Sequence, residues 1–531
     1  MGHSVHGDLR ILSAMSNFKA LFRWVPLILL MSWGTTLMPV DPQPRKMTQG
    51  FFPDKDDLAL VTPALQKAKG FTTHQELLAF VTKLQGQFPE RVRVTYPYQS
   101  HKGKMVPMVQ VLPLDSSKPS LHLWLQGGLH GDEPASTEGL LYLLYQVLHD
   151  RSDARWLDGV TLTVVPMVNV DGYQRQERPN AQGLDLNRDQ TKLMATESMP
   201  LKTAMSAINP HVAVDFHEYR PFRRDYVHMG SFGVCGMHDV MFLNSSHPNI
   251  HPRIRERRAR DFHEPVQEIL AKEGISYHDY FTPQENSGRM VFRLGSDNPR
   301  SSATNFALQG MIATLVEVRG VGLGRTSFKR RIYTTYLIAR TYLQQACINA
   351  TSILAERDDL RITGDSLVIQ SRRESRMDTL EFLDIDKNER VRLRVEIEDA
   401  HRQVAAKRIP IPVAYGIPAH ARPVLDRLRS FGLQEFYLPA GSSVEAEAFE
   451  VKAVDEDPVT YEKSRIQHVK VQNRRMISTL QEDWVGYRMN QPKALLLPEL
   501  LEPSASNGLV HFGVIKASLD STLPVYRIFS P

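Results

Sequence analysis

Cysteine is nearly absent from this chain: two occur in 531 residues, Cys235 and Cys347. That excludes a scaffold stapled by several disulfides, and it excludes a structural zinc site built on thiolates. One bridge between the two stays open in an oxidising compartment, alongside two unrelated thiols. Long apolar runs are equally scarce. Beyond the first forty residues no segment is long and apolar enough to span a bilayer. Charge of one sign is in little excess, since a net charge of +5 is mild for this length. The densest basic cluster, residues 253–260, precedes a helix-like stretch and reads as a solvated helix face, so nucleic-acid binding is set aside. What remains is a composition of 42% hydrophobic and 23% charged residues, which is that of a folded globular chain.

The N-terminus holds the first positive signal. Lys19 and Arg23 precede an apolar core over 24–33, the length of a signal h-region, and Ser32-Trp33-Gly34 places small residues where a signal peptidase reads. Residues 1–34 are expected to be an export signal, which puts the protein in the periplasm or outside the cell. An uncleaved inner-membrane anchor is the alternative, and only then would a membrane be a partner. Residues 35–60, rich in Pro and Asp, are expected to form a linker.

Helical spacing appears over 75–84, and strand-like runs follow at 92–96, 108–112, 121–125 and 160–168. An apolar-periodic helix over 136–148 separates the last two. Further strands are expected at 212–216 and 312–319, before a long helix over 327–356. Buried strands alternating with helices predict an α/β layered domain over 61–362, with its active site at the carboxyl ends of the strands. After Gly364 the pattern changes. Runs at 367–370, 391–397 and 447–454 alternate like strands, and only 421–431 reads as a helix. Residues 365–531 are expected to be a smaller β-rich α+β accessory domain without an obvious catalytic cluster.

The chemistry starts with His130-Gly131-Asp132-Glu133, placed where an apolar strand gives way to a turn. A His and a Glu at that spacing can face one cation, and two His with one Glu form a known catalytic zinc set. Four further strings are read with it: Asn169-Val-Asp-Gly-Tyr173, Arg178-Pro-Asn-Ala-Gln-Gly-Leu-Asp-Leu-Asn-Arg188, Val214-Asp-Phe-His217 and Leu315-Val-Glu-Val-Arg-Gly320. Singly, each has an ordinary reading. His217 would be a satisfied strand-end histidine, Glu317 half of an ion pair, Arg178 and Arg188 surface residues, and Asn169–Gly172 a turn.

Together and in this order, the strings resemble the zinc metallocarboxypeptidase (carboxypeptidase A) family, especially its bacterial members with a C-terminal extension. The resemblance covers roughly 70–345 and implies a three-layer α/β/α domain with a mixed central sheet. It implies one Zn2+ held by His130, Glu133 and His217, with Glu317 as general base. Asp185 would orient His130 from behind, Asn187 and Arg188 would bind the substrate carboxylate, and Arg178 would polarise the scissile carbonyl. The implied partner is a peptide with a free C-terminal carboxylate. A deacylase or amidase of N-acyl amino acids or cell-wall peptides on the same fold is the alternative, and a binding protein without catalysis a third. The family's closing tyrosine has no counterpart at the usual spacing, where Gly295 and Ser296 stand, while Tyr277 and Tyr280 lie further upstream. The stretch 300–306 occupies the place of the family's specificity residue. Arg300 there reads as exposed or structural before it reads as a contact for an acidic group.

Overall fold

A computed structural model describes residues 43–530 apart from 114, 116–119, 227–228, 230–232, 287–288, 358–361 and 363. The expected export signal lies outside the described residues. Among the described residues no helix is long and apolar enough to cross a membrane.

The first sheet takes β1 (Val92–Gln99), β2 (Met105–Val111), β3 (Leu121–Gly127), β4 (Val160–Val165), β5 (Val212–Tyr219), β7 (Val240–Leu243), β8 (Tyr277–Asp279) and β11 (Ile312–Arg319). Its strand order is β1-β2-β4-β3-β5-β11-β7-β8. The central four, β4, β3, β5 and β11, run parallel, while β1 and β2 on one side and β7 on the other pair antiparallel. Their sequences are near-continuous apolar runs with both faces buried, as parallel strands covered by helices must be. The strand expected over 160–168 stops at Val165 because Pro166 follows and has no N–H to give the ladder.

Alternation along β5 and β11 shows what covers each face. Thr314 receives the hydroxyl of Tyr342, so the even-numbered side of β11 faces the helix Phe328–Glu356. Leu315 packs with Ala303, so the odd-numbered side faces the helix Ser302–Leu308. The sheet is therefore sandwiched between helices, an α/β/α arrangement. Asp215 and His217 on β5 and Glu317 on β11 share the odd-numbered face, and His217 and Glu317 are register partners.

A second sheet, β6-β12-β13-β10-β9, joins β6 (Val234–Gly236), β9 (Phe281–Asn286) and β10 (Arg289–Leu294) to β12 (Ser366–Asp384) and β13 (Arg390–Pro410). Strands from either side of residue 365 share this sheet, so the expected division there does not fall between sheets. A third, wholly antiparallel sheet collects β14 (Ala414–Pro418), β15 (Phe436–Leu438), β16 (Ser443–Glu456), β17 (Gln467–Thr479), β18 (Trp484–Arg488) and β19 (Thr522–Ser530).

Three expectations need adjusting. The described part of the 35–60 linker carries a helix, Arg45–Phe51, whose Met47 packs with Phe52, Cys235 and Leu383. Apolar residues spaced through the polar stretch give it something to bury. The basic residues 253–260 lie inside the helical stretch and not before it. Arg257 pairs with Glu356 and Asp261, Arg260 with Asp261, and Arg258 donates to the Ser245 carbonyl. Cys235 and Cys347 are both free thiols.

Candidate active site

His130 and Glu133 come from the turn that follows β3 and leads into the helix Pro134–His149. That turn needs Gly131, because a Cβ there would fall inside the backbone of Gly172. Gly172 belongs to a short helix capped by Asn169, whose side chain accepts from the Gly172 N–H at 2.9 Å. The Asn169–Tyr173 string is thus the floor on which the His130 turn rests.

Three donor groups converge above that floor. His130 Nδ1 lies 2.7 Å from Glu133 Oε1, His217 Nδ1 lies 2.8 Å from Glu133 Oε2, and the two Nδ1 atoms are 3.0 Å apart. All three side chains are buried. The outer nitrogens are held by carboxylates, His130 Nε2 by Asp185 at 3.0 Å and His217 Nε2 by Asp215 at 2.9 Å. A carboxylate behind each ring fixes the proton on Nε2 and turns the Nδ1 lone pair inward. Two ring nitrogens and the two oxygens of one carboxylate then converge on one point. Among the described residues these three form the one cluster of His, Cys, Asp and Glu whose geometry could hold a metal ion. The donor set fits zinc.

Glu317 stands beside this cluster on the neighbouring strand, partly open to solvent. Burial pushes its carboxyl up to about 7, with Glu133 adding to the rise and His217, His130 and Arg178 opposing it. Burial also opposes ionisation of Glu133, yet the two imidazoles hold its carboxyl below the usual range. Two carboxyls in one pocket are driven apart in acidity, the condition for different roles.

Arg178 donates from Nε to Asp185 at 2.9 Å and reaches within 3.7 Å of Glu133. Asp185 therefore holds a ligand histidine with one oxygen and an arginine with the other. It also begins the short turn Leu186–Arg188, accepting from the Asn187 N–H at 2.8 Å. Asn187 is buried, and its side-chain oxygen accepts from the Ser302 N–H at 2.8 Å, which leaves its amide nitrogen to meet a ligand. Arg188 is half-buried and donates to the Asn187 carbonyl at 3.0 Å, with no carboxylate partner among the described residues. All eight residues expected from the sequence are thus gathered at the carboxyl ends of β3, β5 and β11.

Residues 77–214 match the model of the zinc carboxypeptidase family. That stretch, which holds the His130 and Glu133 turn, is similar to a zinc carboxypeptidase domain. Likeness to known carboxypeptidases runs beyond that domain. Carboxypeptidase 2 of Trichophyton equinum is 26% identical over 449 residues, covering 81% of this chain and 82% of that protein. Carboxypeptidase 2 of Trichophyton rubrum is 26% identical over 454 residues with the same coverage. Among solved structures, a metallo-carboxypeptidase from Burkholderia cenocepacia is 17% identical, with a TM-score of 0.40, and the match covers 52% of this chain and 69% of that one.

Three parts of this site escaped the sequence. Asp215 had a visible signal, since a residue two before His217 on a strand shares its face. Tyr280 had none. It sits just after β8, packs with Leu243, Ala303 and Leu315, and is within electrostatic reach of Glu317, Arg188 and Arg178. Burial, and then Glu317, push its phenol up to about 12, so it stays a neutral hydrogen-bond donor. The third part is the loop between β16 and β17, where Glu462 accepts from the Asp185 N–H at 2.8 Å.

Proposed function

We propose that the protein is a zinc-dependent carboxypeptidase that hydrolyses the last amide bond of a peptide bearing a free C-terminal carboxylate. The convergence of His130, Glu133 and His217 beside Glu317 carries this reading. One zinc ion held by those three residues would supply a Lewis acid and make water acidic near neutral pH. Glu317 takes the proton from the attacking water and passes it to the leaving amine, a task suited to a carboxyl raised from its ordinary range. Arg178, anchored by Asp185, donates to the oxygen that gains negative charge. Asn187 and Arg188 grip the substrate carboxylate, the arginine through its planar fork. Asp185 and Asp215 keep both imidazoles turned inward.

The experiment compares zinc-loaded protein with its Glu317→Gln form on peptides with free and with amidated C-termini. Free peptides are expected to lose one residue at a time, and amidated ones to resist. The substitution is expected to lower kcat by about 10²–10⁴-fold while zinc content holds. Equal turnover by both proteins would remove Glu317 from its role, and indifference to amidation would remove Asn187 and Arg188 from theirs. We further propose that the chain is exported by residues 1–34, so that sequencing the mature N-terminus finds a start near Thr35.

A further inference from the structure

Beyond Arg188 the site is walled by two segments far apart in sequence. The first is the stretch before the helix Ser302–Leu308, stitched to the carboxylate clamp by the Ser302 N–H to Asn187 and by the Gln190 N–H to the Arg300 carbonyl at 3.4 Å. The second is the loop between β16 and β17. Tyr461 and Ser464 exchange backbone hydrogen bonds across it at 2.8 and 2.9 Å, and Glu462 and Lys463 take left-handed backbone with φ of 47° and 60°. Three contacts pin it to the catalytic side: Glu462 to the Asp185 N–H, Lys463 to the Gln182 carbonyl, and Ser464 to Met194.

Arg300 is caught between the two segments. Its guanidinium lies 5.0 Å from the centroid of the Tyr461 ring, which is itself stacked on Phe512. It is half-buried, yet among the described residues it has no hydrogen-bond acceptor and no ion-pair partner. Burial pushes its pKa down, and Arg188 beside it pushes the same way. A partly desolvated guanidinium facing only a ring has its donors unspent. Arg188 spends one donor on the Asn187 carbonyl and likewise has no carboxylate in ion-pair contact among the described residues. The acids within electrostatic reach of Arg300 are already engaged, Asp185 by His130 and Arg178, and Glu462 by the Asp185 N–H.

We propose that Arg300, braced by Tyr461, reads the side chain of the released residue, and that this residue is acidic. The proposal rests on the carboxypeptidase reading. Arg188 takes the main-chain carboxylate of a C-terminal glutamate or aspartate, and Arg300 takes the side-chain carboxylate.

The test measures kcat/KM of the zinc-loaded full chain on N-acyl dipeptides ending in Glu, Gln, Leu or Lys. Glu is expected to exceed Gln by at least about tenfold, since a donor built for a carboxylate loses its partner in the amide. Arg300→Gln should bring that ratio near one, and Arg300→Lys should retain part of it. Because the ratio is read, a general loss of activity divides out. Tyr461→Leu serves if Arg300→Gln does not fold, and should shrink the ratio severalfold. Equal use of Glu and Gln, a preference for Lys that would assign the pocket to Glu462, or an undiminished ratio in Arg300→Gln overturns the proposal. If no dipeptide is cleaved, the carboxypeptidase reading fails by itself. Calorimetry on zinc-loaded Glu317→Gln then decides the pocket: tighter binding of N-acetyl-Phe-Glu than of N-acetyl-Phe-Gln, lost when Arg300→Gln is added, supports it, and equal binding sinks it.

Discussion

Every side chain of the metal pocket comes from a strand of one sheet or the turn after it, whereas the mouth beside it borrows Tyr461 and Glu462 from a loop near the other end of the chain. The pocket is also the more tightly tied of the two. His130 and His217 are buried, and each is held on both ring nitrogens. Arg188 and Arg300 are half-buried and lack carboxylate partners among the described residues. One region offers donors to a cation and the other offers cations to an anion. The difference teaches that metal affinity and substrate choice can be changed separately here, because few residues serve both. Asp185 is the exception, touching His130, Arg178 and, through its N–H, Glu462.

This separation can be broken or sharpened by experiment. The largest effect is expected from His217→Ala, which removes one of three donors. Zinc per chain after dialysis should fall from one toward zero and activity with it, and full retention of zinc would dissolve the pocket as described. Next comes Asp215→Asn, which takes the carboxylate from behind His217. Zinc affinity is expected to drop about 10–100-fold in a competition titration, with little change in the Glu-to-Gln selectivity ratio. The pH profile follows. Glu317 works deprotonated, so kcat/KM falls about tenfold for each pH unit below its pKa. Burial sets that carboxyl near 7. A bound cation lowers it, so the fall in the zinc form is expected below pH 7. A profile rising toward acid would contradict the base. Arg188→Lys should raise KM about tenfold more than it lowers kcat, since a point charge replaces a fork. The smallest effect is expected on zinc from the mouth. Tyr461→Leu should leave zinc affinity within about twofold, because distant sites act independently.

The same contrast explains what could be read from sequence alone. The pocket was legible because its residues sit at strand ends, where a run of Val, Leu and Ala stops and a His or Glu begins, as at Phe216-His217 and Val316-Glu317. Period-2 alternation would have yielded Asp215 as well. Tyr280 could not be found this way, since its neighbourhood depends on how β8 pairs beside β7, which no local pattern records. Nor could Tyr461, whose loop is held by contacts with Asp185, Gln182 and Met194, far back in the sequence. The long strands β12 and β13 were glimpsed only as fragments. The middle of β12 and residues 401–408 of β13 are open on both faces, so no apolar period marks them. The second sheet crosses residue 365 unannounced for the same reason: β10 pairs with β13 across about a hundred residues of intervening chain.

The hairpin loop at Tyr461 and Glu462 also imposes an order on biosynthesis. A chain emerging from the ribosome presents His130, Glu133, His217 and Glu317 long before it presents that loop. All four therefore precede the loop in the order of synthesis. A product terminated before residue 461 would keep every residue of the centre and lose the loop that walls it.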